Sequence, residues 1–360
     1  MFKKVKRLTA VLLAIVLLAS LAACGRKSTD TETGSEGAEA SGDDGKTLKI
    51  GFSIPTEREE RWKKSVSLLE EKVSVELGAE LIVQSADNDS QKQYSQIENM
   101  ITQGIDVLLV APEDAGSVGP VLDRCHEEGI FVIGYTRTGD NCWMDAYMTF
   151  DFETIGRYQA EAAVEMAPKG NYVLCMCDDN MTSIAVPMRE GVMSVLQPLV
   201  DSGDINIVLE HAIPNVDPSI AMADVENALT KTNNDIQAII AVNDAIASGC
   251  ISALASAGMD GEVYVSGMDA EKTALKRILE GTQSMTTLID LNNETDIAID
   301  LIKKFINGEA DQIKTDEVFN NGELDIPQVV YPPIKVTENN IHEVVIDAGY
   351  YTLEEIESAE

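Results

Sequence analysis

From Thr47 onward, short apolar runs alternate with stretches whose apolar residues recur every three or four positions. "TLKIGFSI", "AELIVQSA", "IDVLLVAP" and "IFVIGYT" have the length and composition of strands. Between the first two, Trp62, Val66, Leu69, Val73 and Leu77 mark one helical face that stops at Gly78. Ser90 and Gln93 have the spacing of a capping box, opening a helix with Tyr94, Ile97 and Ile101 on one side. Another helix is predicted around 118–128. A second series repeats the alternation with the strands "NYVLCMC", "INIVLEH", "IQAIIAVN" and "EVYVSGMD", and "SMTTLID" and "DIAIDLIKKFING" add a further strand and helix. The strands are continuous apolar runs, the pattern of parallel strands covered by helices on both faces. Two such series predict an α/β protein of two doubly wound parallel-sheet lobes.

In open parallel sheets, ligands sit beyond the carboxyl ends of the strands. The residues there are polar: Arg58 and Arg61 after the first strand, Thr136 and Arg137 after the fourth, and Asp151 after "YMTF". In the second series they are Asp178, Asp179 and Asn180, then Asn243 and Asp244, then Asp269. Guanidinium groups donate, carboxylates accept and amides do both, a mixture suited to the hydroxyls of a sugar. Trp62 and Phe152 are candidates to cover its apolar C–H face. Trp62 also heads the helical stripe and reads equally well as core, and Arg137 has a structural salt bridge as its alternative.

Composition narrows the classes of function. The 360 residues carry 61 Asp and Glu against 27 Lys and Arg, which excludes the basic footprint of a nucleic-acid or anionic-lipid binder. The three histidines are scattered (His126, His211, His342), so no metal site or catalytic triad is expected. Five cysteines follow Cys24, and Cys175 and Cys177 share one strand face as small buried hydrophobes rather than as a metal or redox pair. There is no G-x-G-x-x-G after the first strand, no P-loop and no nucleophile elbow. In "DNDSQKQYSQIE", Lys92 stands where a calcium loop needs glycine. Neither catalysis nor a cofactor is expected.

Lys3, Lys4, Lys6 and Arg7 precede the apolar "LTAVLLAIVLLASL" and then "LAAC", the layout of an export signal. The run is short for a membrane span of about 20 residues. Small residues before Cys24 resemble the lipobox of bacterial lipoproteins, in which the cysteine becomes a diacylated N-terminus on the outer face of the cell membrane. The alternative is ordinary cleavage at an A-x-A site. Residues 25–46, whose only apolar side chains are Ala38 and Ala40, read as a disordered tether with a mean span of roughly 25 Å.

The stretches "KIGFSI…ERW", "SQIENMITQGIDVLLVAP", "GYTR", "FDFETIGRYQAEA", "NNDIQAIIAVNDAIASG", "VSGMDAEKTALKRILEGTQSMT" and "VTENNIHEVVIDAGYY" resemble, in order, the bacterial type I periplasmic sugar-binding proteins. The likeness is strongest to the xylose-binding branch. It implies two lobes joined by three crossovers, near Phe150–Asp151, Leu288–Asp290 and Pro332–Lys335. Residues 47–150 with 290–332 would form one lobe, and 151–289 with 333–360 the other. It also implies Arg61, Arg137, Asp151, Asn243 and Asp269 as sugar ligands, with Trp62 beside Arg61. Thr136, Phe152, Ile289 and Met268 stand where that branch has Asp, Asn, Lys and Gln, and "AIPNVDPS" replaces a stacking Trp, so the particular sugar stays open. The implied function is a monomeric, lipid-anchored solute-binding protein. It would close on a xylose-like pentose, related monosaccharide or polyol and deliver it to the permease of an ABC importer. The alternative is a sensor that presents a sugar or furanosyl signal to a membrane histidine kinase.

Overall fold

The computed structural model describes residues 47–313 and 317–359. Cys24, the leader before it and the 25–46 stretch lie outside the described residues. The first apolar runs become β1 (Lys49–Ile54), β2 (Glu80–Ser85), β3 (Val107–Val110), β4 (Phe131–Tyr135) and β5 (Ala146–Phe150). Helices α1 (Glu60–Lys72), α2 (Ser90–Thr102) and α3 (Gly119–Glu127) connect the first four. The five strands run parallel in the order β5-β4-β3-β1-β2. Every residue of β3, β4 and β5 is buried, which accounts for their unbroken apolar sequence.

The helical stripe does end at Gly78, but α1 widens into a π-type turn at Val73–Leu77 first, and Gly78 closes it at φ 58°. The capping box at Ser90 and Gln93 is not formed. Asp89 caps α2 instead, accepting the Lys92 N–H, because Gln93 is drawn beneath the sheet. Its side-chain amide donates to the Ala111 carbonyl (2.9 Å) and the Ser53 hydroxyl (3.1 Å), and its oxygen accepts the Glu113 N–H (2.8 Å).

After Phe150 the chain enters α4 (Phe152–Met166) and builds a second parallel sheet in the order β7-β6-β8-β9. Its strands are β6 (Gly170–Met176), β7 (Ile205–Ala212), β8 (Ala238–Ala241) and β9 (Tyr264–Val265), interleaved with α5 (Thr182–Ser202), α6 (Pro218–Thr232) and α7 (Asp244–Ala257). Next come α8 (Lys272–Glu280) and β10 (Met285–Leu288), and the chain returns as α9 (Leu291–Ile306), which packs on α1. β11 (Glu317–Asn320) and β12 (Asp325–Tyr331) complete a seven-stranded first sheet, β12 parallel to β5 and β11 antiparallel at the edge. A last crossing leads to β13 (Ile334–Thr337), paired antiparallel with β10, and then to α10 (Leu353–Glu357). The result is two doubly wound bodies joined by three crossovers.

Helices α4 and α5 touch backbone to backbone. A Cβ added at Gly156 would lie 2.1 Å from the Met188 carbonyl oxygen, and one at Gly191 would lie 2.0 Å from that of Glu153. Only glycine permits this approach, and it brings Phe152 on α4 and Ile184 on α5 to the edge of the space between the sheets. Gly191→Ala should therefore push α5 away and lower stability by about 1–3 kcal/mol. The measurement is the urea midpoint at constant m-value. A midpoint equal to that of the wild type would contradict the contact.

Candidate functional site

Between the carboxyl ends of the two sheets lies a narrow cavity. Its walls differ in chemistry. The seven-stranded side contributes Glu59 and Arg61 from the start of α1 and Arg137 from the turn after β4. The opposite side contributes Asn243, which caps α7, and Asp269, set in a surface of Phe152, Cys177, Met181, Ile184, Val216, Val242 and Met268. The two sides meet around the cavity. Asn88 donates to the Asn215 carbonyl (3.3 Å), the Ala115 N–H to the Asn180 carbonyl (3.2 Å), and the Thr182 hydroxyl to Asp140 (2.9 Å), while Lys272 pairs with Glu60 (2.9 Å).

Arg137 is aimed by a kink. Thr136 adopts φ 68°, a left-handed conformation that a β-branched residue holds only when its surroundings impose it. Here its N–H donates to the Met148 carbonyl (2.8 Å), and its own carbonyl accepts from Tyr147 (3.1 Å) and Thr149 (3.2 Å). The turned chain carries the Arg137 guanidinium to the cavity. There it donates to the Pro112 carbonyl (3.3 Å) and stands 3.5 Å from Glu113, so the structural ion pair and the cavity position coexist. Burial pushes the Glu113 carboxyl up to about 7, against the pull of Arg137.

Arg61 has a carboxylate behind it as well. Its Nη2 donates to Glu294 at 3.0 Å and to the Thr136 hydroxyl at 3.3 Å. Burial opposes the Arg61 cation, but Glu294, then Asp269, keep its pKa above the ordinary value. Both guanidinium groups lie over the Trp62 ring, Arg61 at 4.3 Å and Arg137 at 5.6 Å from its centroid. Trp62 itself is fully buried and does not line the cavity. Arg61 Nε, Arg137 Nε, Trp62 Nε1 and Asp269 Oδ1 are enclosed without a protein hydrogen-bond partner.

Among the predicted residues, Arg61, Arg137, Asn243, Asp269, Phe152 and Met268 come together at the cavity, and Thr136 sits behind Arg61. Asp151 caps α4, accepting from the N–H and hydroxyl of Thr154 (2.9 and 2.6 Å), and faces a separate, more open groove of about 330 Å³. Arg58 and Asp179 are exposed and line neither space. Ile289 is buried in the core. Cys125, Cys142, Cys175, Cys177 and Cys250 are free, buried thiols, and burial pushes that of Cys177 up to about 12. Among the described residues no cluster of His, Cys, Asp or Glu has the makings of a metal site, and no helix is long and apolar enough to cross a membrane. Glu59, Glu113 and Glu294 were not among the predicted residues. Glu294 had a signal: it falls on the apolar stripe Leu291, Ala298, Leu301 and Ile302 of α9, where an exposed acid would not.

Carboxyl groups gather where the bodies meet. Burial, then Asp244, Asp269 and Glu59, push Glu271 up to about 8. Asp269 rises to about 7 through burial, with Arg61 opposing and Glu59 and Asp244 reinforcing, and burial takes Asp244 to about 6. Each binds its proton more tightly in the folded than in the unfolded chain, so stability is lost as pH rises through this window and gained as pH falls through it. The carboxylates held low by surface partners (Asp87, Asp204, Asp217, Glu355) act in the opposite sense, losing their contribution below about pH 4. The melting temperature should therefore climb from pH 8 to about pH 5.5 and drop in stronger acid. Asp269→Asn should flatten the climb. A wild-type profile that is level between these values would rule out the cluster as its source.

Residues 50–310 match the family model described as "Periplasmic binding protein domain". The chain is 39% identical to the D-xylose-binding periplasmic protein of Escherichia coli (strain K12) over 315 residues, covering 86% of this chain and 93% of the relative. It is 28% identical to a multiple sugar-binding periplasmic receptor of Rhizobium radiobacter, covering 85% and 92%. The crystal structure of an ABC transporter solute-binding protein from Clostridium phytofermentans with bound β-D-glucose aligns at a TM-score of 0.78 with 27% identity, over 86% of this chain and 99% of that one. The chain thus belongs to the type I periplasmic sugar-binding proteins, a family that binds solutes and does not catalyse reactions.

Proposed function

We propose that this protein captures a neutral monosaccharide of pentose size and hands it to the permease of an ABC importer, held at the outer face of the cell membrane by lipid on Cys24. Residues 47–150 with 290–332, and 151–289 with 333–360, act as the two rigid bodies that close over the sugar. One observation carries this reading: unpartnered donors and an unpartnered acceptor collect around a cavity whose far wall is apolar. A sugar ring has the matching shape, with hydroxyls at its edge and C–H groups on its faces. Arg61, Arg137, Asn243 and Asp269 serve the hydroxyls, and Phe152 and Met268 cover the C–H face. Trp62 supports both arginines from behind.

Charge and polarity narrow the ligand. Glu294 and, where ionised, Glu113 offset the two arginines from outside the cavity, while Glu59 and, where ionised, Asp269 face into it. A sugar acid would therefore meet more negative than positive charge. Away from Asn243 and Asp269 the far wall is hydrocarbon and offers no partner for an additional hydroxymethyl group, and a buried, unmatched hydroxyl costs about 1–3 kcal/mol. Both arguments favour a neutral pentose, in keeping with the D-xylose-binding name of the Escherichia coli relative.

Thermal melting with a panel of pentoses, hexoses, polyols and sugar acids tests the proposal. A pentose, D-xylose first, should raise the melting point, gaining about 2.7 kcal/mol at a hundredfold excess over its dissociation constant. Hexoses should act more weakly, sugar acids not at all, and Arg137→Ala should abolish the shift. Silence across every neutral sugar and polyol would sink the reading. For the anchor, Cys24→Ala should release the protein from the membrane fraction into the medium, and a variant that stays with the membrane would refute lipid attachment.

A further inference from the structure

Glu294 is a carboxylate with no solvent exposure, in the first turn of a helix where acids ordinarily face water. Hydrogen bonds converge on it from three other parts of the chain. One oxygen accepts from Arg61 Nη2 (3.0 Å), the Thr136 hydroxyl (2.8 Å) and the Tyr331 hydroxyl (2.8 Å). The other accepts from the Tyr135 hydroxyl (2.8 Å) and, at 3.4 Å, from Ser65 and again from Arg61. The donors lie on α1, at the end of β4 and at the end of β12. The knot also reaches the crossovers. Glu294 follows the second, Tyr331 precedes the third, and the Tyr331 carbonyl accepts the Asp151 N–H of the first at 3.2 Å.

We infer that Glu294 is the positioning residue of the sugar site, holding Arg61 in the orientation that ligand binding requires. The inference rests on the reading of the cavity as a sugar site. Arg61 has a long side chain whose rotations would otherwise have to be frozen at the moment of binding. Glu294 holds Nη2 from behind, and the rings of Trp62 and Phe150 lie 4.3 and 5.2 Å from the guanidinium carbon. Arg61 Nε is left without a protein partner, in a residue that lines the cavity. The guanidinium is ordered in advance, and its charge is balanced without using the groups that face the ligand. Glu294 touches no ligand in this arrangement and acts only through Arg61 and Thr136.

A double-mutant cycle separates this role from plain structural support. Calorimetric titration with D-xylose would be run on the wild type, Arg61→Ala, Glu294→Gln and the double variant, with melting of the sugar-free proteins as a check of folding. Glu294→Gln should weaken D-xylose by about 10- to 100-fold, the equivalent of a hydrogen bond to a charged group. In the Arg61→Ala background the same change should cost less than about twofold, because the group it positions is gone. Losses that multiply, or wild-type affinity in Glu294→Gln, would overturn the role. Glu294→Asp, which keeps the charge and draws it back by one methylene, takes the place of Glu294→Gln if the latter does not fold. Nitrogen NMR of arginine-labelled, sugar-free protein gives a readout that needs no ligand. Arg61 Nη signals, identified by their loss in Arg61→Lys, should be separately resolved in the wild type and averaged in Glu294→Gln. A freely rotating Arg61 in the wild type would refute the inference. Wild-type D-xylose affinity in Arg61→Ala, or no D-xylose binding by the wild type, would instead count against the sugar reading on which it rests.

Discussion

Arg61 and Arg137 carry permanent charge into an interior closed to water, and each is tolerated there because a carboxylate stands behind it. Removing a cation from solvent costs several kcal/mol unless it is paired and hydrogen-bonded. Glu294 at 3.0 Å and Glu113 at 3.5 Å meet that demand, and the demand then spreads to their own surroundings. Glu294 requires two tyrosine hydroxyls and Thr136 to satisfy its oxygens. The backbone of Glu113 is held by Gln93, a residue drawn from helix surface to core for the purpose. The ends of β4 and β12 and the starts of α1 and α9 are therefore tied to one electrostatic arrangement, along with the first turn of α2.

The opposite wall obeys a different constraint. Close backbone contact at Gly156 and Gly191 brings α4 and α5 together, and an apolar surface including Phe152, Met181 and Ile184 faces the arginines. Aimed donors on one side, and hydrocarbon interrupted by Asn243 and Asp269 on the other, suit a ligand that is itself two-faced. The kink at Thr136 belongs to the same design: a strained backbone, held by hydrogen bonds from two neighbouring side chains, turns Arg137 toward the gap. Where the bodies meet, Glu59 stands near Asp269 and Glu271 and adds to the burial that raises both carboxyl groups.

Much of this was legible in the chain. Apolar runs and helical stripes specified the two parallel sheets, and the rule that ligands sit beyond strand ends located Arg61, Arg137, Asn243 and Asp269. The same rule is blind to direction once the chain leaves the strand. Arg58, three residues before Arg61, is exposed, and Asp179 is exposed in the loop after β6. Asp151 uses its carboxylate to cap α4. Ser90 and Gln93 had the spacing of a cap, but Asp89 was one residue away and Gln93 had stronger partners in the core. Trp62, readable as core or as site, is buried core that underlies both arginines.

By itself, then, the sequence determined the classes of element, their order, the acidic surface and the polar residues available to a cleft. These follow from periodicity and composition, which are local properties of the chain. Only the tertiary structure decided how each charge is balanced. Glu294 reaches Arg61 across 233 positions of sequence, and Tyr331 reaches Glu294 from a strand added to the far side of the sheet. Periodicity records that a side chain is turned inward. It carries no record of the partner waiting there, because that partner is brought into place only when both sheets and all three crossovers have formed.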